Sequence, residues 1–187
     1  MHDDPFIHLR SNGTPMLCVP PGSEGFVVHE GWRLRLLAGA HRLAYRGVVA
    51  MFLVRVDATH FLELVSLGGA MLRDAGGGWR PIRLLGRLVY SVRRPELLVD
   101  LLEREQICEA RQLERELHGM VVAQLANVFE GEPLRAERLS ENLDVVGGEV
   151  QRRLTVALQP CGIGVQGLDL LAEPAPSAGI AARAGGV

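Results

Sequence analysis

Gln159-Pro160-Cys161-Gly162-Ile163-Gly164-Val165-Gln166-Gly167-Leu168-Asp169-Leu170-Leu171-Ala172-Glu173-Pro174 reads as a breaker, a glycine turn and a strand, and it follows two long amphipathic segments. Apolar residues alternate along it at Ile163, Val165, Leu168 and Leu170, with Gly167 shifting the phase by one residue as a β-bulge does. A strand that arrives after helices has to pair with a sheet laid down earlier. This passage therefore decides the topology of the chain.

Working upstream, Pro160 closes an apolar stripe through Leu139, Leu143, Val146, Val150, Leu154 and Ala157, on which Glu149 and Arg153 are spaced to pair on the outer face. Gly147 and Gly148 interrupt this helix at about 1 kcal/mol each relative to alanine, which marks a kink or a close helix contact. Gly131-Glu132-Pro133 separates it from an earlier stripe through Ile107, Ala110, Leu113, Leu117, Val121, Leu125 and Val128. Packing on a sheet accounts for such a stripe. The regular spacing of Leu117, Val121, Leu125 and Val128 also makes them a candidate subunit contact. A shorter helix begins at Pro95, a residue suited to a first helical position, with Leu97, Leu98, Leu101 and Leu102 on one side.

Before Pro95 the texture is short apolar runs broken by glycine and proline, the signature of a small sheet with tight turns. Met16 to Val19 is a strand that stops at Pro20-Pro21-Gly22, and Ala38-Gly39-Ala40-His41 breaks a later one. Gly25 to His29 and Trp32 to Leu37 flank Glu30-Gly31, a two-residue hairpin turn. Val48 to Val56 is apolar on both faces, as a central strand covered on each side would be, with Phe61 to Val65 expected beside it. Ile82 to Arg93 alternates: Ile82, Leu84, Leu88, Tyr90 and Val92 fall on one face, and Arg83, Arg87, Ser91 and Arg93 on the other. The fold expected is α+β: an N-terminal mixed or antiparallel sheet, helices packed on it, and a C-terminal strand returning to it. Its bounds are an N-terminal tail over 1–13, one domain over 14–174, and a disordered tail over 175–187.

The 187-residue chain carries a formal net charge of -2, and every basic residue is arginine. That balance points to no nucleic-acid partner. Cys18, Cys108 and Cys161 are odd in number and far apart, so neither a disulfide framework nor a zinc site is indicated, and a reducing compartment fits. The start Met1-His2-Asp3-Asp4-Pro5 lacks the pattern of a secretory signal, and no apolar run reaches spanning length.

The order of these pieces resembles the SPFH domain, also called the band 7, stomatin-like or prohibitin-homology domain, and lies nearest its bacterial virion-core-like group. Pro20 to Gly31 resembles the family's opening strand-turn-strand, Leu36 to His41 its following apolar-Gly-His step, and Ile82 to Pro95 the strand leading into its first helix. Cys161-Gly162-Ile163-Gly164-Val165 stands where the family has Tyr-Gly-Ile-x-Val. The resemblance implies a non-enzymatic scaffold that forms homo-oligomers and organises partner proteins, a membrane protease among them, with no cofactor. It also implies a membrane segment before the domain and a long coiled coil after it. This sequence shows neither and resembles a trimmed or stand-alone member. The expected location is the cytoplasm, with peripheral contact at the inner face of a membrane left open.

Residues with chemistry of their own are few. His29 and His41 lie near turns, and Asp57, Thr59 and His60 lie together, but no HExxH, paired-carboxylate helix or Cys/His cluster joins them into a catalytic or metal site. Gly76-Gly77-Gly78 has no Walker lysine and reads as a hairpin tip. Arg83, Arg87 and Arg93, continued by Arg94, form the one basic surface able to touch a partner or lipid headgroups; glutamates on neighbouring strands would neutralise it. Two alternatives to the scaffold remain: a ligand-binding or enzymatic α+β domain with a pocket between sheet and helices, and a soluble adaptor for one protein partner.

Overall fold

The computed structural model describes residues 4–12, 16–43, 48–65, 67, 69–73, 77–129, 134–135 and 139–174. Nine strands come first: β1 (Phe6–Asn12), β2 (Met16–Val19), β3 (Ser23–His29), β4 (Trp32–Leu36), β5 (Gly39–Arg42), β6 (Val48–Arg55), β7 (Thr59–Leu64), β8 (Gly69–Arg73) and β9 (Trp79–Val92). Helices α1 (Pro95–Arg104), α2 (Ala110–Phe129) and α3 (Leu139–Leu158) follow, with β10 (Leu134–Arg135) between the last two, and β11 (Ile163–Pro174) comes after them. The chain is α+β, with its C-terminal strand in a sheet laid down before the helices.

The first sheet runs β1-β6-β3-β4, all antiparallel. Its inner strands are apolar on both faces because two separate cores flank them. Phe26, Phe52 and Val54 point into the main core shared with the helices, while Val27, Val49 and Met51 point into a smaller one closed by Leu17, Val19, Leu36 and Leu43. The β2-β5 pair covers that second side, and Gly25 lets β2 approach closely, since a Cβ there would sit 2.8 Å from Val19 Cγ2. The Glu30-Gly31 hairpin forms with both residues at positive φ, 44° and 83°, the geometry a two-residue turn needs to match strand twist.

Three readings of the sequence require correction here. Residues 6–12 are not tail but β1, paired with β6 along its whole length; Phe6 is buried while Ile7 and Leu9 are exposed. Gly39–Arg42 does more than end a strand, since it pairs with β2 as β5. Phe61 to Val65 does not lie beside β6: β7 pairs with β9 in the second sheet, with Phe61 opposite Val89. The tail 175–187, Gly76 and Gly131-Glu132-Pro133 lie outside the described residues.

The second sheet is built on β9. Along one edge β9 pairs with β8 and then β7, along the other with β11, and β10 adds a short parallel strand to β8. β11 returns antiparallel to β9 from Ile163 opposite Val92 to Pro174 opposite Ile82, with the register shift between Val165 and Gly167. The turn into it depends on Gly162 at φ 74°, where a Cβ would overlap the carbonyl oxygen of Arg94. The Gly162 carbonyl in turn accepts hydrogen bonds from the amides of Arg93 and Arg94, at 2.8 and 3.0 Å, which ties the start of α1 to the start of β11.

All three helices pack their apolar stripes into the main core: Leu98, Val99 and Leu102 from α1, Leu113, Leu117, Val121 and Leu125 from α2, and Val150, Leu154 and Leu158 from α3. α3 lies against β11, and Gly147 marks the close approach, because a Cβ there would stand 3.3 Å from the Leu168 carbonyl oxygen. On the solvent side Glu149 bonds to Arg153 at 2.6 Å and to Arg152, and these hydrogen bonds, with Arg152 first, hold its carboxyl down at about 2.

Candidate functional site

The helices cover one face of the second sheet and leave most of the other open; Ser91, expected on the solvent face, is buried at its end between Thr59 and Gly164. Alternation sends Leu62, Leu64, Ile82, Leu84, Leu88, Tyr90, Ile163 and Leu168 inward, where each is buried. The outward positions form successive levels across three strands. Phe61, Val89 and Gly167 make one level, and Glu63, Arg87 and Asp169 the next. Val65, Leu85 and Leu171 come together on the rim of a groove of ≈ 370 Å³ that also contains Glu63, Arg87 and Asp169, and Arg83 stands beside Glu173 at the far end. Phe61, Val65 and Leu171 are 61%, 69% and 65% exposed, a concentration of apolar surface on one side of a single sheet.

The four arginines singled out in the sequence do not form one free patch. Arg87 donates from Nε to Glu63 at 2.7 Å, and Arg83 donates to the Val65 carbonyl at 2.8 Å. The stem of Arg93 lies over Gly164, within 2.7 Å of where a Cβ would be, and Arg94 pairs with Glu96 at 3.1 Å beside α1. Across the outer face Arg83, Arg87 and Arg93 are matched by Glu63, Asp169 and Glu173, so guanidiniums and carboxylates are equal in number. A headgroup of negative charge gains little there.

The candidate subunit contact on α2 is corrected by burial. Leu117, Val121 and Leu125 are at most 2% exposed and Val128 is packed against the same core, so their regular spacing serves the inside of the protomer. Residues with titratable side chains are likewise dispersed. His60 points inward against Tyr90, with ring centroids 5.4 Å apart, whereas its neighbour Thr59 faces outward to Gln166 at 3.3 Å. Burial raises the Tyr90 phenol, with smaller contributions from Glu114 and Asp4. His29 sits edge-on to Trp32, and His41 Nε2 lies 2.7 Å from the Leu37 carbonyl oxygen. Asp57 lies against Gly22. Among the described residues no group of three His, Cys, Asp or Glu side chains could hold a metal ion. A second groove, ≈ 420 Å³ beside the first half of α2, is lined by Leu62, Glu109, Arg111, Glu114, Arg115 and His118.

One polar cluster went unread in the sequence. Arg33 on β4 reaches α1, pairing with Asp100 at 2.6 Å and with Glu103, and donating to the Glu96 carbonyl at 3.2 Å. Burial alone would lower the Arg33 guanidinium, but the bonds to Glu103 and Asp100 outweigh it and hold the group up. The available signal was the placement of Asp100 and Glu103 at i and i+3 on one side of α1. This cluster joins the edge of the first sheet to the first helix.

No family model matches this chain, and no curated protein matches it. Among the described residues no helix is long and apolar enough to cross a membrane.

Proposed function

We propose that this protein is a non-enzymatic scaffold of the SPFH type, which self-associates and positions partner proteins. The observation that carries this reading is the open outer face of the second sheet, where exposed Phe61, Val65 and Leu171 flank the charged level Glu63, Arg87 and Asp169. Apolar surface gathered on one side and rimmed by polar groups is the pattern of a protein-binding surface. The order of elements, a turn-rich sheet followed by three helices and a returning strand, supports the family assignment. Fold alone does not carry function. The contact surface is what gives this reading its content.

The test is light scattering coupled to size-exclusion chromatography over a concentration series. The expected result is a mass above that of the 20.4 kDa protomer that grows with concentration. A constant protomer mass at the highest concentration contradicts the reading. Co-sedimentation with anionic vesicles is expected to leave the protein in the supernatant, because the carboxylates of the outer face offset its arginines one for one. Capture experiments that recover a membrane protease would extend the reading to a specific partner class.

A further inference from the structure

The register of β11 on β9 gives the outer face an internal symmetry. Each outward residue of β11 lies beside an outward residue of β9: Gly167 by Val89, Asp169 by Arg87, Leu171 by Leu85 and Glu173 by Arg83. Consider a two-fold axis in the plane of contact, parallel to these strands and midway between them. It lays β9 of one copy over β11 of the other at the same level. Arg87 then faces Asp169, Arg83 faces Glu173, Leu85 faces Leu171, and Val89 faces the space left by Gly167.

We propose that a second copy of this chain docks face to face on β9 and β11 about that axis, a proposal that rests on the self-association reading and names the surface that serves it. Charge complementarity selects this occupant. The outward acids of β11 are Asp169 and Glu173 and the outward bases of β9 are Arg83 and Arg87, so the two strands are opposite in sign and a copy rotated about the axis meets its complement. Arg87 turns its Nε toward Glu63 on the β7 side, and neither Asp169 nor Glu173 has an ion pair among the described residues. Aligned sheets cross at about 30°. The match is therefore closest at the central levels, Arg87 with Asp169 and Leu85 with Leu171.

Size decides the strength. Two strands about 4.8 Å apart, carrying four outward levels about 6.8 Å apart, cover roughly 260 Å² in plan. A standard interface takes about 800 Å² from each partner. The dimer is accordingly weak and reversible, with a dissociation constant on the order of micromolar or above.

Sedimentation velocity of the full chain, run over a concentration series, tests this. Leu171→Glu alters a side chain already 65% exposed, so it is expected to leave the circular dichroism and melting curves unchanged and to weaken dimerisation at least tenfold. Glu173→Arg makes its level wholly basic and Arg83→Glu makes it wholly acidic; each alone is expected to weaken association, and an equimolar mixture of the two to regain the wild-type mass. Pairing within one chain cannot produce recovery on mixing. Undiminished association of Leu171→Glu overturns this surface while leaving self-association standing. A wild type that stays monomeric throughout overturns both, and weakened single variants that fail to recover on mixing overturn the two-fold arrangement.

Discussion

The two larger sheets are made of similar residues and are covered differently. β6 lies at the middle of the first sheet with a core on each face, Phe52 and Val54 on one side and Val49 and Met51 on the other. β9 lies at the middle of the second with a core on one face only, and its outward residues Arg83, Leu85, Arg87 and Val89 are at least partly open. The first sheet is therefore held from both sides, and changes to it act on folding. The second has a side that folding does not use, and changes there are free to act on association.

The contrast is sharpest between the two faces of the second sheet. Leu88→Ala, on the buried face, is expected to cost about 3 kcal/mol by lost transfer energy and the cavity left behind. Leu171→Ala on the open face of β11 should cost less than about 0.5 kcal/mol. Urea denaturation of both variants reads the difference; equal costs would break the distinction between the faces. Gly162→Ala comes next. The new Cβ meets the Arg94 carbonyl at a left-handed backbone position, at a cost of about 2 kcal/mol or more, seen as a lowered denaturation midpoint.

Arg33→Ala tests the tie between the first sheet and α1. Its carboxylate partners stay partly in solvent after the change, so about 1 kcal/mol is expected, and the difference from wild type should shrink in high salt. The smallest effect belongs to Glu149, away from both sheets. Its carboxyl is held below the ordinary value in the fold, so the stabilisation is present above about pH 4.5 and is lost as pH falls toward 2. Melting temperatures of wild type and Glu149→Gln should differ at neutral pH and converge near pH 2.

Much of this was legible in the residues because period and punctuation coincide. Pro95 and Pro160 bound the helical region, Glu30-Gly31 sits between two strands, and the phase change at Gly167 appears as the bulge in β11. β1 was not legible, since Phe6–Asn12 mixes His8, Arg10 and Ser11 with apolar residues and its pairing with β6 spans a distance that local pattern does not encode. The partner of β7 was missed for the same reason. The α2 stripe showed its period but not its direction, because a core-facing and a partner-facing stripe look alike until burial is known. The outer face of the second sheet needed the register: Arg83, Arg87, Asp169 and Glu173 become a symmetric pattern only once β11 is laid against β9.

The most direct measurement follows the methyl resonances of the protein as it is concentrated. Face-to-face docking predicts concentration-dependent shifts at Val65, Leu85, Val89 and Leu171, with Leu84, Leu88 and Leu168 on the opposite face of the same strands unmoved. Shifts confined to the helices or the first sheet, or none at any concentration, would contradict it.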